Sequence, residues 1–165
     1  MKKIFYLLVI TAMVIVSCVS KVKTVPVDLE AEKAAVNELF VNFNAAYLAG
    51  DAATLTSFLT DDALFIGTDP GEFWDKNYFR DVWTETFTSG VPELHEISER
   101  TIKLAPDGQS CIMIQQYIMP EFLPGIIMRN AYSLTKADGD WKIFVINVSI
   151  IPKNEDIPKI IGALN

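Results

Sequence analysis

The sequence predicts an α+β fold in which three N-terminal helices pack in a curved antiparallel sheet. Up to about residue 88, apolar residues recur every three to four positions, as on one face of a helix. From residue 93 they alternate with polar residues in four runs, which is the period of strands. Two of the three gaps between these runs contain an Asp-Gly turn, which favours a hairpin. Helices followed by an antiparallel meander indicate a layer of helices on one face of a sheet.

Three aspartates mark the predicted helix starts, because a carboxylate accepts hydrogen bonds from the first free N–H groups of a helix. Asp28 begins a helix of about six turns that Gly50 closes in the left-handed conformation. Asp51 begins a second, short helix that we expect to end at 60–62, and Asp75 begins a third. The apolar face of the first helix is Leu29, Val36, Leu39, Phe40, Phe43 and Tyr47.

The strands are predicted from the change of period. A brief strand is expected at 64–67, before the turn Asp69-Pro70-Gly71. The four longer runs are 94–105, 110–119, 125–136 and 141–151. We therefore expect the folded domain to span 28–151 and residues 152–165 to form a C-terminal arm.

Composition and charge exclude several classes of function. The 165 residues carry a net charge of −7, and Lys and Arg never cluster beyond a pair, so the basic stripe of a nucleic-acid-binding protein is absent. One histidine and two cysteines are too few for a Cys/His zinc site, and we predict no metal and no cofactor. A glycine-rich phosphate loop and a Ser/His/Asp set are also missing from the sequence.

The N-terminus indicates export and lipidation. Two lysines precede a thirteen-residue apolar run from Ile4 to Val16, which is shorter than the ~20 residues of a membrane-spanning helix. Residues 15–18 resemble a bacterial lipobox, so we predict a lipoprotein signal peptide at 1–17, lipid on Cys18 and a tether to residue 27. The alternative is a plain signal peptide with an incidental cysteine. We expect a cell-envelope protein held by lipid in the outer membrane and facing the periplasm. In some bacteria an aspartate directly after the lipidated cysteine is a retention signal that prevents sorting to the outer membrane, and this position is Val19 here.

Four segments resemble the SnoaL-like branch of the nuclear transport factor 2-like superfamily. They are Tyr47-Leu48-Ala49-Gly50-Asp51, 58–65, 67–74 and the closing Gly139-Asp140-Trp141-Lys142-Ile143. The resemblance implies a conical, cystatin-like half-barrel wrapped round the long first helix, with a pocket at its open end. It also implies a homodimer paired through the outer face of the sheet.

The resemblance implies catalytic positions that this chain does not fill. In the ketosteroid isomerases of the superfamily, an aspartate base, a tyrosine and a protonated acid act together. The base position is occupied by Gly67 and the tyrosine position by Phe43. The acid would fall near 130–132, where no acid occurs, and Asn147 stands where many relatives have a histidine.

Candidate site residues come from a turn, two strands and the first helix. Asp69 and Glu72 lie beside Trp74, and a carboxylate near an apolar wall could transfer a proton, although a solvated turn explains the same residues. The residues that we predict to contact a small-molecule ligand are Phe43, Tyr47, Asp69, Trp74, Gln115, Tyr117, Asn130 and Tyr132. The alternatives are that the strand residues fill the core or line a dimer interface.

Three hypotheses for function follow. The first is a membrane-anchored domain that binds a small apolar or amphipathic molecule without catalysis. The second is a lyase, isomerase or hydrolase with Asp69 or Glu72 as general base and Tyr117 or Tyr132 as proton donor. The third is a dimerisation or partner-docking module.

Overall fold

In the computed structural model, which describes residues 27–164, the chain begins with helix α1 (Leu29–Leu48). Its predicted start is confirmed, because the Asp28 carboxylate accepts hydrogen bonds from the N–H groups of Glu30 and Ala31 at 3.2 and 3.1 Å. Gly50 has φ 66°, as predicted. The predicted signal peptide, Cys18 and the tether up to residue 26 lie outside the described residues.

Helix α2 (Ala52–Ser57) is shorter than predicted, and the first strand is longer. Strand β1 (Leu59–Ile66) begins where the sequence predicts the last turn of the second helix, so that boundary was wrong. The reason is a distant partner: the N–H of Ile143 donates to the carbonyl of Phe58 at 2.9 Å, and Leu59 lies opposite Ile143. This pairing draws the chain into the sheet before the helical pattern ends.

The three predicted helices are not consecutive. Strand β2 (Phe73–Asp75) pairs antiparallel with β1, and helix α3 (Lys76–Thr88) follows it directly. The predicted start of this helix is confirmed, since the Asp75 carboxylate accepts the N–H of Tyr78 at 2.8 Å. The expected run of three N-terminal helices is therefore matched only in part, because a hairpin separates the second helix from the third.

The curved sheet contains seven strands. The remaining five are β3 (His95–Glu96), β4 (Thr101–Leu104), β5 (Ser110–Ile118), β6 (Met128–Ala137) and β7 (Asp140–Ile150). Their order is β2-β1-β7-β6-β5-β3, with β4 also paired to β5. Two sequence expectations need correction. The run 94–105 is divided into two short strands, and the sheet is not wholly antiparallel, because β1 and β7 run parallel.

The predicted arm after the sheet contains a short 3-10 helix (Asn154–Asp156) and helix α4 (Ile157–Ala163). Neither element has a buried residue. Within residues 27–164, none of the helices combines the length and apolar character that crossing a bilayer requires.

The core lies between α1 and the concave face of the sheet. Phe40, Met113, Leu134 and Ile143 are completely inaccessible to solvent. The ring of Phe40 meets the ring of Tyr132 edge to face, with centroids 4.7 Å apart, which is a favourable geometry for aromatic pairs. The apolar face predicted for α1 is thus the face that packs on the sheet, except that Leu29 at its start is exposed.

A polar clamp joins the first turn of α1 to the β6–β7 hairpin. One carboxylate oxygen of Glu32 accepts from Lys136 Nζ at 2.6 Å, and the other accepts from Trp141 Nε1 at 2.9 Å. These hydrogen bonds hold the pKa of Glu32 below its usual value of 4.5, and the bond from Lys136 has the larger effect. Because the lowered pKa belongs to the folded state, ionised Glu32 stabilises the fold above that value, and the stabilisation is lost as pH falls through the folded pKa.

We predict that Glu32→Gln lowers the melting temperature at pH 7 and has a smaller effect at pH 3. The substitution removes the charge that Lys136 and Trp141 hold, and at low pH the wild-type carboxyl is itself neutral. Thermal unfolding followed by circular dichroism between pH 3 and 7 measures the difference. The control is Glu30→Gln on the same exposed turn, whose carboxylate makes no hydrogen bond or ion pair in the described structure. Equal shifts for both variants at pH 7 would contradict the clamp.

Candidate functional site

A cavity of about 230 Å³ lies between α1, α3 and the concave face of the sheet. Its size is below the ~300–1,000 Å³ that is usual for pockets of drug-sized ligands. Most of its wall is aromatic or aliphatic, with a few amides and hydroxyls, which is the usual make-up of a small-molecule site. The cavity therefore suits a molecule smaller than a typical drug.

The helical side of the wall is aromatic. Tyr47 on α1 meets Trp83 on α3 edge to face, with ring centroids 5.3 Å apart, and Phe79 meets Trp83 at 6.1 Å. Near the β1–β2 turn, the rings of Phe65 and Trp74 stack at 4.6 Å. The Nε1 atom of Trp83 is buried and has no hydrogen-bond acceptor within residues 27–164. These rings present broad apolar faces that suit a ligand containing a ring.

Rows of side chains that run across neighbouring strands form the sheet side. In one row Phe65, Ile146 and Tyr132 lie opposite one another on β1, β7 and β6. In the next row Val148, Asn130 and Gln115 lie opposite one another on β7, β6 and β5. All six side chains line the cavity. Because side chains on one face of a strand recur every second residue, the alternation in the sequence is what brings the polar ones together.

Two phenols and an amide form a hydrogen-bonded chain in this wall. The Tyr117 hydroxyl donates to Asn130 Oδ1 at 3.0 Å, and Asn130 Nδ2 donates to the Tyr132 hydroxyl at 2.6 Å. Burial raises the pKa of Tyr132 to about 12 and also raises the pKa of Tyr117. Both phenols are therefore neutral at physiological pH and keep their protons for hydrogen bonding.

A charged cluster fixes the end of the wall beside α1. Glu96 accepts hydrogen bonds from Asn44 and, at 2.9 Å, from Arg100. Arg100 also donates to Asn37 Oδ1 at 3.2 Å, and it lies 5.9 Å from the centre of the Phe40 ring. Partial burial raises the pKa of Glu96. The hydrogen bonds from Arg100, Gln115 and Asn44 outweigh this effect and hold the pKa below its usual range. The cluster ties α1 to β3 and β5 while Asn44 and Gln115 face the cavity.

The two candidate carboxylates lie in different places. Glu72 lines the cavity, and its Oε2 accepts the N–H of Asp69 at 3.0 Å. Asp69 lies outside the wall, because its own carboxylate turns back to accept the N–H of Gly71 at 2.8 Å. Such a local turn is a common use of aspartate. The position of Asp69 departs from the sequence expectation that it faces the ligand.

The other residues predicted from the sequence come together. Every residue in the predicted ligand set except Asp69 lines the cavity, whereas ligand contact by any of them stays a prediction. Sequence reasoning missed Trp83, Phe79 and Asn44 as wall residues, and it missed the Glu96–Arg100 pair. Trp83 and Phe79 are spaced as one apolar face of a helix, and such spacing alone does not distinguish core packing from the lining of a cavity. Within the part of the chain that the structure describes, no group of three or more His, Cys, Asp or Glu residues could hold a metal ion.

Comparison with known proteins identifies the domain. Residues 36–153 match the family described as SnoaL-like domain. No curated protein sequence matches the chain significantly.

Solved structures share the fold at low sequence identity. An NTF2-like protein from Cytophaga hutchinsonii is 20% identical, with a TM-score of 0.57 over 72% of this chain and 98% of its own. An NTF2-like protein from Shewanella baltica is 15% identical, with a TM-score of 0.61 over 77% and 99%. A domain with a cystatin-like fold from Nostoc punctiforme is 16% identical, with a TM-score of 0.62 over 79% and 83%. These matches confirm the predicted α+β class with a curved, cystatin-like sheet.

Proposed function

Because the chain belongs to the SnoaL-like domain family, we propose that its cavity binds a small apolar or amphipathic molecule without catalysing a reaction on it. The observation that carries the proposal is the cavity itself, a partly open space with an aromatic wall and few polar groups. Transfer of apolar surface from water into such a space is favourable by roughly 25 cal/mol per Å². A ligand that fills the cavity would gain this free energy.

The arrangement of polar groups supports binding over catalysis. Tyr117, Asn130 and Tyr132 hydrogen-bond to one another, and the Tyr47 hydroxyl donates to the carbonyl of Pro92 at 2.8 Å. Phenols with raised pKa values orient a ligand well but release protons poorly near neutral pH. The positions that hold the base and the tyrosine in the related isomerases are Gly67 and Phe43 here.

One observation favours the catalytic alternative. Glu72 places a carboxylate in the cavity wall, where it could act as a general base in a lyase, isomerase or hydrolase. Asp69 is less suited to that role, since its carboxylate is occupied by the turn. Formation of product from a bound probe, abolished by Glu72→Gln, would establish this alternative over the binding proposal.

We predict that Val148→Phe abolishes ligand binding. Val148 lines the cavity, and a phenyl ring at this position would occupy the space that a ligand needs. Native mass spectrometry of the full chain, purified in detergent from its own host, measures the mass of any retained molecule. We expect an added mass on the wild type and none on the variant.

The matched control is Val41→Phe, which makes the same change at an exposed position of α1 outside the cavity wall. This variant should keep the added mass. Loss of the mass from both variants would point to a general defect in folding. A wild-type protein with no added mass would contradict the binding proposal.

We also propose that lipid on Cys18 anchors the domain in the bacterial cell envelope, at the outer membrane and facing the periplasm. The support is the sequence of residues 1–18 alone, with its two lysines, apolar run and lipobox-like end. A single acyl chain binds membranes only weakly, so stable anchoring requires a second signal, such as a further acyl chain.

We expect the chain to incorporate radiolabelled palmitate in its host and Cys18→Ser to abolish the incorporation. Cys111→Ser is the control, because Cys111 is buried in the core and is the other cysteine of the chain. Labelling that survives in Cys18→Ser would refute the anchor.

The outer face of the sheet supports a further part of the proposal, that two copies of the chain pair through it. Leu64, Val145, Ser133 and Ile112 lie opposite one another on four neighbouring strands. Of these, Ile112 keeps 48% of its surface exposed, and Phe144 beside the row keeps 37%. Apolar side chains exposed close together on one face of a sheet favour an interface there.

We predict that Ile112→Lys converts a dimer to a monomer, because it replaces an exposed apolar side chain of the paired faces with a charge. Analytical ultracentrifugation in detergent measures the change. Val41→Lys is the control, since Val41 is 54% exposed on α1, away from the sheet. A monomeric wild type would overturn the pairing.

A further inference from the structure

The cavity wall contains a carboxylate that takes the place of a missing side chain. A Cβ atom built on Gly67 would lie 2.0 Å from Glu72 Oε2 and 2.7 Å from its Cδ. The carboxylate therefore occupies the position into which a side chain at residue 67 would point. Any larger residue at position 67 would displace it, since contacts this short do not occur between non-bonded atoms.

The β1–β2 turn holds this carboxylate in place through one oxygen and leaves the other oxygen able to accept a hydrogen bond. The N–H of Gly67 donates to the carbonyl of Glu72 at 3.0 Å, and the N–H of Asp69 donates to Oε2 at 3.0 Å. Within residues 27–164, Glu72 Oε1 has no hydrogen-bond donor. The cavity thus contains a fixed acceptor that has no partner.

The hydrogen-bonded chain in the sheet ends in a donor that also lacks a partner. Tyr117 donates to Asn130, and Asn130 donates in turn to the Tyr132 oxygen. The Tyr132 proton has no acceptor among the residues that the structure describes. Because the hydrogen bond from the Asn130 side chain fixes the Tyr132 oxygen, the Tyr132 O–H is free to donate to a ligand.

Strand register gives the separation of the two groups. Ile66 lies opposite Asn147, so the next residue, Gly67, lies beside Val148, which is opposite Asn130. Two interstrand spacings separate the backbone of Gly67, over which the Glu72 carboxylate lies, from the backbone of Asn130 by on the order of 10 Å. The wall between them is apolar, formed by Val148 and Ile146. A ligand with polar atoms at opposite ends of one six-membered ring, with a hydrogen bond of ~2.8 Å at each end, spans a distance of the same order.

We propose that the cavity selects a single-ring molecule with a hydrogen-bond donor at one end, a hydroxyl or an ammonium, and a carbonyl oxygen at the other. The donor binds Glu72 Oε1, and the carbonyl accepts the Tyr132 proton. This inference rests on the proposed binding function and adds the chemical class of the ligand. A ligand carboxylate is disfavoured because it would meet the negative charge of Glu72. A purely apolar ligand would exclude water from both groups without offering either a partner, which is unfavourable.

The test is isothermal titration calorimetry of the full chain in detergent, with detergent alone as blank and with four para-related probes. They are 4'-hydroxyacetophenone, which has both groups, acetophenone with the acceptor alone, 4-ethylphenol with the donor alone, and ethylbenzene with neither. We expect 4'-hydroxyacetophenone to bind most tightly. Each single-group probe should lose on the order of three- to tenfold in affinity, the worth of one hydrogen bond.

Variants assign each group to its residue. Glu72→Gln should weaken the two hydroxyl probes and leave acetophenone unchanged, whereas Tyr132→Phe should weaken the two carbonyl probes and leave 4-ethylphenol unchanged. Glu85→Gln and Tyr78→Phe make the same chemical changes at exposed positions outside the wall and should alter no affinity. Gly67→Ala should reproduce the pattern of Glu72→Gln, because its Cβ expels the carboxylate.

The outcomes separate this inference from the binding proposal. Equal affinity for all four probes would overturn the ligand class and leave apolar binding standing. Binding of none of the probes, in a wild type that also retains no mass from its host, would overturn both. A uniform loss of affinity in Glu72→Gln and Gly67→Ala would assign the turn a structural role and refute the donor contact.

Discussion

The parallel pairing of β1 with β7 is the constraint on which the rest of the structure depends. It joins the N-terminal helical part of the chain to the last strand of the sheet, through contacts such as Ile143 N–H to Phe58 C=O at 2.9 Å. Parallel neighbours cannot be joined by a tight turn, so the chain between them must travel round the molecule. That path carries α3 over the concave face and places the β1–β2 turn beside Val148. The cavity lies between α3 and the concave face of the sheet that this closure completes.

Two sets of polar contacts hold α1 in a fixed position on the sheet. Glu96, with donors from α1, β5 and Arg100, and Glu32, with donors from the β6–β7 hairpin, tie α1 to the sheet at two separate places. Removing one partner of a partly buried charged contact destabilises the fold, since the remaining charge is left without a partner. These ties fix α1 on the sheet and so set the positions of Phe43, Asn44 and Tyr47 in the cavity wall.

The sequence predicts local features well and distant ones poorly. The helix starts at Asp28, Asp51 and Asp75 depend on a side chain and an N–H group two or three residues away, and all three were found. The early start of β1 and its parallel partner depend on β7, about eighty residues later, so no local pattern reveals them. The division of the run 94–105 also has a distant cause, because the N–H of Gln116 donates to the Ser98 hydroxyl instead of to a strand carbonyl.

The same distinction applies to the site. Alternation along β5 and β6 was enough to put Gln115, Tyr117, Asn130 and Tyr132 on one face, and the register then brought them into one wall. Choosing between Asp69 and Glu72 required the folded turn, because both are acids beside the same loop. Only the three-dimensional path shows that one carboxylate completes the turn while the other fills the space above Gly67. A glycine at that position therefore belongs to the site although it contributes no side chain, since its lack of a Cβ is what admits the carboxylate of Glu72 to the wall.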